Sequence, residues 1–105
     1  MTPYAVDRNK WQNLTLFEQL GNIGSEVGRA YQANSRNDKQ ATAAAMARAL
    51  DLFDATSSSL KLTPARRKEI LRSKEEFLKS LVTNKDQESL EKYFKQFAIA
   101  ARISR

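Results

Sequence analysis

The sequence predicts an all-α protein, an up-down-up-down four-helix bundle with an extended N-terminal arm. Three observations carry that expectation. Apolar residues recur at spacings of three and four in four stretches of similar length, polar breaks separate those stretches, and no segment alternates with the period of a strand. With 105 residues the chain is long enough for one modest core and too short for two, which predicts an arm over 1–13 and one helical domain over 14–105.

The arm has Pro3, Tyr4 and Trp11 as candidate anchors onto the body. Helix 1 is predicted from about residue 16 to 33, because Thr15 and Glu18 have capping-box spacing. Its apolar stripe is Leu16, Leu20, Ile23, Val27 and Tyr31, and all three glycines of the chain, Gly21, Gly24 and Gly28, flank that stripe with Phe17. A helical glycine costs about 0.5–1 kcal/mol relative to alanine, so three in one helix call for an offsetting gain. Close approach of a second helix backbone supplies one. Ala41, Ala43, Ala44, Ala45, Ala47 and Ala49 of the next segment offer a matching small-residue surface. A phosphate cradle is rejected, since the spacing fits neither G-x-G-x-x-G nor G-x-x-x-x-G-K-[ST] and no strand precedes it.

Helix 2, capped by Ser35 or Asn37, is predicted to bury Ala43, Met46, Leu50, Phe53, Ser57 and Leu60. Thr63-Pro64 then marks a helix start, threonine as N-cap and proline at the first helical position. Helix 3, about 64–82, is expected to bury Ile70, Leu71, Phe77, Leu78, Leu81 and Val82. Helix 4, about 86–103, is expected to bury Leu90, Tyr93, Phe94, Phe97, Ala100 and Ala101.

Charged residues that break these stripes are the first candidates for special roles. Asp54 projects into helix 2's apolar arc, and Arg67 and Lys74 into helix 3's, so an Asp54–Arg67 structural ion pair between antiparallel helices is expected. The net charge is +6, and residues 61–82 hold seven cations against three carboxylates. Arg66, Arg67 and Lys68 crowd a first turn where the helix dipole disfavours cations, a local conflict that can mark function. A nucleic-acid face made of Arg66, Lys68, Arg72, Lys79 and Arg102 is therefore one functional reading. Leu52, Ile99 and Ile103 project off their stripes and form a candidate self-association seam.

Reaction chemistry is poorly supplied. Without histidine or cysteine the chain lacks the commonest general base, the usual transition-metal ligands and a thiol nucleophile. Asp51 with Asp54, or Glu75 with Glu76, can at most help hold a hard cation. No enzyme activity, cofactor, metal or small-molecule substrate is expected. The absence of cysteine fits a reducing cytoplasm, and no run is apolar and long enough to suggest secretion or membrane spanning.

Asn22–Ala30 (NIGSEVxRA), Arg48–Asp54 (RALxLxD) and Glu91–Arg102 (EKYFxQFAxAAR) together resemble a group of small prokaryotic helical proteins without an established activity. That resemblance covers three of the four helices and implies a compact helical domain with no catalytic assignment. In architecture alone the chain is similar to four-helix proteins associated with ribosomal-RNA intervening sequences and to basic accessory proteins of diversity-generating retroelements, which implies oligomerisation or nucleic-acid binding. The expected function is a non-enzymatic, self-associating helical interaction module in the cytoplasm, whose partner is a protein or a second copy. The alternative is an RNA- or DNA-binding accessory protein.

Overall fold

A computed structural model describes residues 5–103. Those residues are all-helical, with α1 (Arg8–Gln12), α2 (Leu16–Ser35), α3 (Lys39–Ser57), α4 (Pro64–Thr83) and α5 (Gln87–Ile103). Among them no helix is long and apolar enough to cross a membrane.

Local capping chemistry sets the ends. Thr15 and Glu18 close a reciprocal capping box, Oγ1 accepting the Glu18 amide at 3.1 Å and Glu18 Oε1 accepting the Thr15 amide at 3.0 Å. Thr63 accepts the Arg66 amide at 3.1 Å, with Pro64 at the first helical position. The cap of α3 is Asp38 rather than Ser35 or Asn37, its carboxylate accepting the Ala41 amide at 3.0 Å. Asn37 is diverted to the left-handed turn before it (φ 58°), and Asn84 (φ 57°) ends α4 in the same way.

The expected extended arm is corrected over residues 8–12, where Asp7 nucleates α1 by accepting the Asn9 and Lys10 amides at 3.0 and 3.2 Å. Trp11 does anchor it. The indole is buried and donates to Thr56 Oγ1 at 2.9 Å, while Gln19 donates to the Trp11 carbonyl at 2.8 Å. Asp51 secures the chain further upstream, accepting the Val6 amide at 2.5 Å and Arg8 at 3.2 Å. Pro3 and Tyr4 lie outside the described residues.

The stripe of α2 is buried as its spacing predicts, with Leu20, Ile23, Val27 and Tyr31 inside. On α5, Leu90, Phe94, Phe97 and Ala101 are buried, with Tyr93 at the margin. The other two helices match their expected faces only in part. α3 buries Ala45, Ala49, Phe53 and Thr56, whereas Ala43 and Leu60 stand in solvent and Leu50 is half-buried. The cause is proximity: α3 packs extensively on α2, and small side chains must face a close neighbour. α4 buries Ile70, Ser73, Phe77 and Ser80 and packs Leu78 and Leu81 against the core, while Leu71 and Val82 are exposed. Both serines can be inside because their hydroxyls are satisfied within the helix, Ser73 on the Glu69 carbonyl at 2.9 Å and Ser80 on the Phe77 carbonyl at 2.7 Å. α4 consequently touches the other helices more sparingly than α2 does.

Candidate functional site

The glycines mark a helix contact, but its partner is α5 rather than the alanine-rich α3. A methyl group at position 24 would stand 2.5 Å from Phe94 Cβ, and one at position 21 would stand 3.0 Å from Ala98 Cα. At position 28 the same methyl meets only Glu91 Oε2 at 3.8 Å, an ordinary contact. The seam is thus tight at Gly21 and Gly24 and relaxes at Gly28. Above it runs an open groove of about 820 Å³ whose rims carry Arg29, Lys92, Lys95 and Arg102 against Glu88 and Glu91.

A second concavity, about 420 Å³, separates α4 from α5. The α4 wall facing it consists of Glu69, Arg72, Ser73, Glu76, Lys79, Ser80 and Thr83 and offers no apolar side chain for α5 to close upon. Polar bonds bridge the gap instead. The Tyr93 phenol donates to Glu69, which also pairs with Arg66 at 3.4 Å. Burial, together with the bond to Glu69, pushes the Tyr93 phenol up to about 12, so its proton stays in place. Deeper in, the Tyr31 hydroxyl bonds Ser80 Oγ at 2.5 Å, and burial likewise raises Tyr31. Gln87 donates to the Ser80 carbonyl at 3.2 Å. The two phenols hold their protons rather than exchange them; Tyr93 and Gln87 fasten α5 to α4, and Tyr31 fastens α2 to α4.

The singled-out charges are placed differently from expectation. Asp54 and Arg67 do not pair. Asp54 is exposed and stands 4.0 Å from Arg8, whereas Arg67 donates to the Ser57 and Ser59 carbonyls at 2.8 and 2.7 Å. Arg67 therefore answers the unpaired carbonyls and the negative dipole end of α3. The turn of α3 explains Asp54: the arc it seemed to interrupt, with Ala43 and Ala47, is the outer face. The five cations proposed for nucleic acid do not share one surface. Arg66 and Arg72 are engaged by Glu69 and by Glu76, the latter at 3.8 Å, Lys68 is exposed, Lys79 lines the α4–α5 cleft, and Arg102 borders the α2–α5 groove. Of the seam residues, Leu52 packs against the core, while Ile99 and Ile103 are exposed.

No family model, curated protein or solved structure matches the chain. Chemistry at the surface is then the guide. Among the described residues no group of three or more carboxylates is placed to hold a metal ion. The residues that sequence reasoning missed are Glu69, Ser73 and Ser80; Tyr93 was expected only as a core side chain. Their signal was available in part, since Ser73 and Ser80 sit one heptad apart on either side of Phe77. What stands out elsewhere is apolar surface: Val82 is 83% exposed, Ile103 78% and Ile99 45%.

Proposed function

We propose that the protein is a non-enzymatic, self-associating helical interaction module of the reducing cytoplasm, its four long helices forming an up-down-up-down bundle behind the short α1. One contrast supports this reading. Every buried side-chain nitrogen and oxygen among the described residues has a partner, so the interior addresses nothing, while large apolar side chains stand outside. Ile99 and Ile103, one turn apart on the side of α5 away from the core, are the surface for a second copy. Sedimentation equilibrium tests it: the native chain should self-associate, and Ile99→Glu with Ile103→Glu should return a monomer. A native chain that stays monomeric at high concentration overturns the self-association.

A second reading, nucleic-acid binding, is favoured by the α2–α5 groove, where four cations border two carboxylates. Binding of a mixed-sequence oligonucleotide should then weaken steeply as salt rises and weaken further in Lys95→Ala and Arg102→Ala. No binding at low salt removes that reading.

A further inference from the structure

The outer side of α4 has a second stripe, exposed at its two apolar ends, Leu71 and Val82. Projected at about 100° per residue, Leu71, Glu75, Leu78 and Val82 fall within roughly 60° of one another, spaced four, three and four apart as in a coiled-coil seam. Leu71 and Val82 are exposed at 43% and 83%, and Leu78 between them is half-buried, its inner side against the core. Lys68 and Lys79 lie on one flank of this stripe and Lys74 on the other. Among the described residues none of the three has a carboxylate within 4.0 Å, and Glu75 has no cation within that distance. Elsewhere on α4 the charges do pair, Arg66 with Glu69 and Arg72 with Glu76.

We infer that this stripe docks an acidic amphipathic helix of a partner protein, its apolar side chains set at three- and four-residue spacing between carboxylates and one basic residue opposite Glu75. Apolar anchors at that spacing are what a helix lays against a helical surface, and the charges that frame them choose the partner. A second copy does not fit, because α4 against α4 brings lysine flank to lysine flank. A bilayer does not fit either, since Glu75 lies in the middle of the apolar stripe and would enter the interface unpaired. Nucleic acid answers the lysines but leaves Leu71 and Val82 in water.

This inference rests on the interaction reading and deepens it at a face separate from Ile99 and Ile103. The test uses the full chain and two synthetic helical peptides with the same apolar repeat. One has glutamate flanks and a central lysine; the other has lysine flanks and a central glutamate. By fluorescence anisotropy the acidic peptide should bind at least about tenfold more tightly, the scale of one or two interfacial charge contacts. Lys68→Glu with Lys79→Glu should reverse that preference, and Leu71→Gln with Val82→Gln should weaken both peptides. Amide shifts on binding should centre on residues 71–82. Ile99→Glu with Ile103→Glu should leave peptide binding unchanged, so loss of self-association and loss of docking are read apart. Absence of binding, equal binding of the two peptides, shifts centred elsewhere, or displacement of the acidic peptide by a single-stranded oligonucleotide or by anionic vesicles would overturn the inference.

Discussion

Helix α5 meets α2 and α4 in opposite ways. Against α2 the contact is close because Gly21 and Gly24 remove the side chains that would hold Ala98 and Phe94 away. Against α4 the gap stays open at about 420 Å³ because the facing wall is polar, and hydrogen bonds from Tyr93 to Glu69 and from Gln87 to the Ser80 carbonyl span it. The difference teaches that side-chain size decides how near two helices come, whereas side-chain polarity decides whether the space between them closes.

The largest way to break the comparison is to restore a side chain in the seam. Gly24→Ala should cost about 3 kcal/mol by denaturant unfolding, because the new methyl and Phe94 Cβ cannot both stay in place. The corresponding damage in the cleft is polar. Ser80→Ala leaves the buried Tyr31 hydroxyl without its partner and should cost about 2 kcal/mol, while adding Tyr31→Phe should recover much of that loss in a double-mutant cycle. Additive losses would mean the two hydroxyls do not act together. Smaller again, Arg67→Ala should cost about 1 kcal/mol through the carbonyls at the end of α3, while Asp54→Ala stays within about 0.5 kcal/mol.

The cleft should also respond to alkali. Tyr93 titrates at about 12 in the folded protein against 10.0 for an ordinary tyrosine, so folding favours its protonated form. Its contribution is complete below pH 10 and is lost as pH rises from 10 to about 12. Thermal unfolding followed across that window should therefore decline less steeply in Tyr93→Phe than in the native chain. Equal slopes would mean that the phenol is not held in the cleft.

The pattern of what was legible in the sequence follows the same physics. The starts of α2 and α4 were readable because Thr15 with Glu18, and Thr63 with Pro64, act on amides a few residues away. The buried stripes of α2 and α5 were readable because large apolar residues define them. The faces of α3 and α4 were readable only in part, through Phe53, Ile70 and Phe77, since alanine and serine carry little hydropathy. Ala45 and Ala49 are inside because α2 lies close, and Ser73 and Ser80 because their hydroxyls find carbonyls in their own helix. From the misread face came the mistaken Asp54–Arg67 pair. The acceptors Arg67 uses are backbone carbonyls, which no residue identity advertises.

The glycine seam is the claim on which the placement of α5 depends, and paired urea unfolding of Gly24→Ala and Gly28→Ala tests it most directly. The two substitutions gain the same helix propensity, about 0.5–1 kcal/mol, but differ in what the new methyl meets. Gly28→Ala should raise the unfolding midpoint and Gly24→Ala should lower it sharply. Midpoints that move together, or a Gly24→Ala chain as stable as the native one, would show that α2 and α5 do not meet there.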